Sequence, residues 1–144
     1  MRRIDMPKYS FDAEFLCDIE AALSEPELIG DVPEGTRTTF YITGGTIEGP
    51  DIRGRIRPVG ADWFIMRRDG VGQLDVRGTV ETDDGELIYV YYSGLADFSG
   101  EPRLFTNPVF RTASDKYSWL NSTFAVAVGA PGENSVSYSV YKLK

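Results

Sequence analysis

The sequence contains no histidine and a single cysteine, Cys17. Without histidine there can be no Ser-His-Asp or Cys-His catalysis, no histidine-ligated zinc or haem and no histidine-bearing iron triad. A lone cysteine forms neither an intramolecular disulfide nor a CxxC redox pair. Basic charge is scarce as well. The 15 Lys and Arg face 22 Asp and Glu, a formal net charge of −7, so no basic footprint for nucleic acid is expected. No apolar run approaches the ~20 residues that cross a bilayer, and no membrane partner is expected. Residues 1–8 are charged but are not followed by the apolar segment of a secretion signal, which makes a cytoplasmic location the expectation. Asn121-Ser122-Thr123 fits a glycosylation acceptor, a reading that would need secretion.

What remains is an ordinary globular composition. The 144 residues, 42% hydrophobic and 12% aromatic, suit one domain spanning residues 1–144. A chain of this size buries about two-thirds of its unfolded surface, enough for a core without disulfide or metal staples.

Period-two alternation recurs along the chain, and no useful stretch carries a 3.6 period. Phe15, Cys17, Ile19, Ala21 and Leu23 share one face of a first strand, with Glu14, Asp18 and Glu20 opposite. Such one-sided burial belongs to antiparallel sheets. Residues 24–34 read as a polar loop ending in the turn Pro33-Glu34-Gly35. Strands are expected at residues 37–43, 52–58, 62–68, 73–81, 87–93, 104–112, 124–128 and 135–143. Asp69-Gly70 and Asp84-Gly85 mark hairpins, and residues 114–122 are expected to hold the single helical turn. The expected fold is all-β: a single-domain antiparallel β-barrel of about 8–10 strands, its short connections favouring a closed barrel over a sandwich.

Charge is uneven. Residues 11–36 carry eight acidic side chains and no basic one, whereas residues 52–77 carry six arginines. Arg53, Arg55 and Arg57 share a strand face opposite Ile52 and Ile56, and therefore read as an outward ladder rather than an anion clamp. Asp62 beside Trp63 is a turn-end aspartate with a packed indole or, in an apolar cavity, a carboxyl with a raised pKa able to move a proton. Asp75 and Arg77 lie on one face, as a carboxylate–guanidinium pair inside a cavity or a surface pair of negligible energy. Tyr89, Tyr91 and Ser93 project to one side of their strand, with Val90 and Tyr92 on the other. Tyrosines on a barrel wall suit a flat aromatic ligand, though strands are rich in aromatics in any case. The Gly44–Gly49 stretch is no phosphate loop, and Cys17 reads as an inert core thiol.

The order of these blocks resembles the domain-of-unknown-function family 3237, also called the UPF0311 family. The likeness rests on Gly35-Thr36-Arg37, Ile42-Thr43-Gly44-Gly45-Thr46-Ile47-Glu48-Gly49-Pro50 and Ile52-Arg53-Gly54-Arg55-Ile56. It continues through Gly60-Ala61-Asp62-Trp63, Leu74-Asp75-Val76-Arg77, Thr82-Asp83-Asp84-Gly85, Ile88-Tyr89-Val90 and Tyr117-Ser118-Trp119-Leu120-Asn121. The resemblance implies an antiparallel β-barrel that commonly self-associates, and it implies no particular reaction. Phe105 and Arg111 depart from the Arg and Glu expected there, which would make any cavity they line less charged or differently selective. Glu48, Asp62, Arg77, Tyr89, Trp119 and Asn121 are the polar and aromatic positions shared with the family and the candidate ligand-binding residues.

Three functions stay open. The leading one is a barrel that binds a small apolar or aromatic molecule in its lumen, with no cofactor. The second is a cofactor-independent isomerase, cyclase or lyase in which Asp62 or Glu48 moves a proton and Arg77 stabilises an oxyanion. The third is a structural barrel filled by its own side chains and associating with its own copies. A carrier needs a mainly apolar cavity of ~300 Å³ or more, and an enzyme of this kind needs a carboxyl of raised pKa within it.

Overall fold

The computed structural model describes residues 7–144; residues 1–6, part of the charged N-terminus, lie outside the described residues. Eleven strands run in chain order: β1 (Ala13–Leu23), β2 (Glu27–Val32), β3 (Gly35–Glu48), β4 (Arg53–Ile56), β5 (Ala61–Arg67), β6 (Gly72–Thr82), β7 (Leu87–Asp97), β8 (Arg103–Thr106), β9 (Val109–Arg111), β10 (Ala125–Gly132) and β11 (Ser135–Leu143). Eight of them close a ring in the order β1, β3, β5, β6, β7, β8, β10, β11 and back to β1, every neighbouring pair antiparallel. Closure removes the unpaired edges that an open sheet would leave. β3 is long enough to serve both ends of the barrel. Its first half pairs with β5 and β2, and its second half with β4 and β1.

The alternating segments became strands, and the differences from expectation have local causes. Residues 24–34 are not wholly loop, because β2 pairs with the outer part of β3. Its side chains are mostly exposed, so the strand carries no period-two signal. The strand expected at residues 104–112 is divided at Pro108, which has no N–H to give a ladder; β8 joins β7 to β10, whereas β9 pairs with β7 alone. On β1 a bulge between Phe15 and Cys17 turns Leu16 inward. Phe15 is thereby turned outward, where it meets Tyr141 edge to face. The helical turn is a 3-10 segment, Ser118–Ser122, shorter than residues 114–122.

The interior divides along the barrel axis. One end is solid: Cys17, Ile47, Ile88, Phe110, Leu120 and Val140 are each under 2% exposed. The 3-10 turn closes that end, with Leu120 as its buried plug. Burial pushes the Cys17 thiol up to about 12, with a smaller contribution from the charge of Asp18, which keeps it protonated and unreactive as expected. Toward the other end the lumen opens into a cavity.

Candidate functional site

The cavity has a volume of about 310 Å³ and lies between the inner faces of β3, β5, β6, β7 and β8 and the β10–β11 hairpin. Alternation on these strands decides what faces it. Phe40 and Ile42 come from β3, Asp62 and Phe64 from β5, Leu74 and Val76 from β6. Phe40 and Phe64 meet edge to face with centroids 6.0 Å apart. Gly72 makes room for this arrangement, since a Cβ there would lie 2.5 Å from the Phe64 ring. Around the mouth stand Ser24, Pro26, Phe98, Pro131 and Asn134. The hairpin tip is tied to β1 by the Leu23 N–H, which donates to the Asn134 carbonyl at 2.9 Å.

Polar groups converge on the inner part of this apolar chamber. Register across β5, β6 and β7 aligns Asp62, Val76 and Tyr92 in one row. From β11, Tyr138 brings its ring to 5.2 Å from that of Tyr92, the planes inclined at 71°. Gly129 on the neighbouring strand leaves the space this ring occupies, because a Cβ there would stand 2.5 Å from it. Tyr92 and Tyr138 are 7% and 4% exposed. Burial raises both phenols well above their ordinary pKa; interaction with Tyr92 raises Tyr138 further, and the charge of Asp62 adds a smaller contribution to both. The Tyr138 hydroxyl is itself fully buried, makes no well-formed hydrogen bond and has the Tyr92 hydroxyl as its polar neighbour.

Asp62 is built into the wall. The β5–β6 ladder pairs Asp62 with Val76 and Ile65 with Gln73 but is interrupted between them. In that gap the Asp75 N–H donates to the Asp62 carboxylate at 3.1 Å. Burial pushes the Asp62 carboxyl up to about 6; the Asp75 N–H bond opposes this and the Asp75 charge adds to it. At neutral pH the group is thus mostly ionised and close to its titration point.

Of the six residues singled out from the sequence, Asp62 alone lines this cavity. Glu48 is exposed on the outer wall in an ion pair with Arg53. Arg77 also points outward, its guanidinium 5.2 Å from the centroid of the Tyr91 ring, and forms no pair with Asp75. Tyr89 is an exposed residue on the outside of β7. Trp119 packs against the solid end, with the Lys142 ammonium 5.9 Å from its ring centroid. Asn121 clips the same end: it accepts from the Thr112 N–H at 2.8 Å and donates to the Thr112 carbonyl at 3.0 Å. Phe105 and Arg111 are exposed as well, so their departure from the family pattern leaves the lumen untouched. The arginine ladder does point outward: Arg55 and Arg57 both pair with Glu81. Tyr138 was missed, although the alternation Val136, Tyr138, Val140 in residues 135–143 was its signal. Among the described residues no group of three or more acidic or sulfur ligands is placed to hold a metal ion, and no helix is long and apolar enough to cross a membrane.

Comparison with known proteins agrees with this architecture. Residues 11–143 match the family described as "Protein of unknown function (DUF3237)". A UPF0311 protein of Clostridium acetobutylicum is 31% identical over 146 residues, covering 90% of this chain and 92% of the relative. The crystal structure of a β-barrel-like protein from Acinetobacter baumannii superimposes with a TM-score of 0.90 at 33% identity, covering 97% of this chain and all of that one. A hydroalkoxylation enzyme of Penicillium herquei is 30% identical over 101 residues, 69% of this chain and 61% of the enzyme. A crystal structure of an enzyme from the same fungus shares the fold, with a TM-score of 0.78 at 23% identity over 98% of this chain and 100% of that one.

Proposed function

The chain belongs to the DUF3237 family of β-barrel proteins, and from that starting point we propose that its hollow end binds a small, largely apolar or aromatic molecule. The observation that carries this reading is the cavity itself: about 310 Å³, walled by Phe40, Phe64, Leu74 and Leu104, with Asp62 and Tyr92 among its polar groups. That volume sits at the lower end of the ~300–1,000 Å³ of small-molecule sites. A barrel filled by its own side chains leaves no such space, so the cavity argues against a purely structural role.

A neutral fluorescent probe, N-phenyl-1-naphthylamine, tests the reading. Saturable enhancement at one site per chain is expected, with Val136→Phe, which projects a ring into the cavity, weakening it about tenfold or more. Enhancement that is unsaturable, or identical in a folded Val136→Phe variant, would overturn the lumen as the site.

A second reading is supported by Asp62. A carboxyl with a pKa near 6 inside an apolar chamber suits general acid–base work, and one relative is a hydroalkoxylation enzyme. In this reading Asp62 gives a proton to, or takes one from, a bound molecule, while Tyr92 supplies a hydrogen bond. Arg77, on the outer wall, has no part in it.

A further inference from the structure

Asp62 is the one carboxyl in the cavity lining, and neither Lys nor Arg joins it there; the sequence has no histidine to supply a cation. Among the described residues Asp62 takes part in no ion pair. The titratable groups that act on it or feel its charge are Asp75 from β6, Tyr92 from β7 and Tyr138 from β11, and none of them can be positive. A carboxylate held out of water without a counter-ion is costly, and buried charges in proteins are as a rule paired.

One oxygen of Asp62 is free to take such a partner. Oδ1 accepts the Asp75 N–H, whereas Oδ2 has no hydrogen bond among the described residues. Nor does Oδ2 belong to the fully buried side-chain atoms that lack a partner. It therefore keeps accessible surface, and the space that Asp62 borders is the cavity. Rings stand around this position. Phe40 is the cross-strand partner of Asp62, Phe64 lies two residues further along the same face of β5, and Tyr92 follows Val76 in the same row. Aromatic faces attract cations that an aliphatic wall would only strip of water. The approach is acidic too. Asn134 at the mouth donates to the exposed Glu25 carboxylate at 3.4 Å, and a net charge of −7 raises the local concentration of cations.

Resting on the lumen-binding reading, we infer that the chamber takes a protonated amine on an apolar or aromatic body, the ammonium group donating to Asp62 Oδ2 while the body packs against Phe40, Phe64 and Leu74. Asp62 is then the specificity-determining residue of the site. A neutral molecule of the same shape fills the walls equally well but leaves the carboxylate without its counter-ion.

Two probes of nearly equal shape, 1-naphthylmethylamine and 1-naphthylmethanol, test this by displacing N-phenyl-1-naphthylamine at pH 8 and at pH 5. The amine is a cation at both, so a change in its advantage over the alcohol belongs to the protein. At pH 8 the amine is expected to bind about tenfold more tightly than the alcohol, or better. Burial pushes the Asp62 carboxyl up to about 6, so about a tenth of it is ionised at pH 5 and the amine's advantage should shrink about tenfold there. Asp62→Asn keeps an oxygen for the Asp75 N–H; it should remove the advantage at pH 8 and leave the alcohol within about threefold. An alcohol that binds as well as the amine at pH 8 overturns the proposal. So does an advantage undiminished at pH 5, or one that survives in an Asp62→Asn protein of native dye affinity, since either places the cation elsewhere. The pH comparison uses the unaltered protein and decides the matter even where the variant does not fold. Failure of both compounds to displace the dye strikes instead at the lumen-binding reading.

Discussion

The two ends of the barrel share the same ring of strands yet are put to opposite uses. At the closed end the inward positions are filled by Cys17, Ile47, Ile88, Phe110 and Val140, and Leu120 plugs the opening. At the open end the inward positions include large side chains too, but Phe40 and Phe64 stand along the wall and leave a chamber between them. The difference lies in what covers the lumen. A 3-10 turn with a buried leucine seals one mouth, while the other is rimmed by short turns whose side chains stay partly in solvent. The densest packing therefore lies at one end, and the buried carboxyl of Asp62, whose charge burial disfavours, lies at the other. A division of this sort is common where a site requires groups that the fold alone would not keep.

The sharpest test of this contrast is a matched pair of truncations. Phe110→Ala removes a fully buried ring from the solid end and should cost about 3–5 kcal/mol in urea unfolding. Phe64→Ala, beside an existing void, should cost roughly half of that, because less packing is lost. Equal losses would erase the distinction between the ends.

A smaller effect, of opposite sign, is expected from Asp62→Asn. The folded-state pKa of Asp62 is raised from its ordinary 3.8 to about 6, so the folded protein holds this proton more tightly than the unfolded chain does. Its contribution to stability is therefore best below pH 4 and is lost as pH rises through 4 to 6. Asparagine keeps an oxygen for the Asp75 N–H and removes the charge. The variant should be more stable than the parent by about 2 kcal/mol at pH 8 and about equal to it at pH 4. The difference between the two proteins isolates Asp62 from Asp69 and Glu81, whose carboxyls are lowered by arginine partners and whose contributions run the other way. A variant less stable than the parent at pH 8 would show that the carboxylate itself supports the wall.

The smallest effects belong to the residues outside the lumen. Asn121→Ala loses both bonds to Thr112 and should cost about 1 kcal/mol without changing dye binding. Arg77→Ala should stay within about 0.5 kcal/mol in stability and leave dye binding unchanged. A tenfold loss of dye binding in either would connect the outer wall to the chamber.

These outcomes bear on how far the sequence could be read. Period two identified most of the strands, because each has one face toward an interior that excludes water. It failed at β2, which has no buried face, and at Pro108, where chemistry rather than pattern ends a strand. The site was less legible for a related reason. The candidates are polar and aromatic positions shared with the family, and on a barrel polar side chains mostly face outward, as Glu48 and Arg77 do. The chamber is mainly apolar, so its walls looked like ordinary core. Asp62 stands out in the sequence because it follows the Gly60 turn beside Trp63 in a block shared with the family, whereas Tyr138 is hidden among aromatics that strands favour anyway. Which inward positions leave a void depends on how the barrel ends are capped, a property that alternation along single strands does not carry.

The interrupted seam between β5 and β6 has a further consequence. Because the Asp75 N–H is bonded to the Asp62 carboxylate rather than to a backbone carbonyl of β5, a backbone amide of the barrel wall is wired to a group inside it. Gain of a proton by Asp62, or a guest that draws its carboxylate away, alters the electron density at that amide. The Asp75 side chain meanwhile belongs to the outer surface, in a shallow depression with Trp63, Gln73 and Ser93. The amide frequency of one residue, Asp75, therefore reports from the outer wall the protonation state of a carboxyl buried within it.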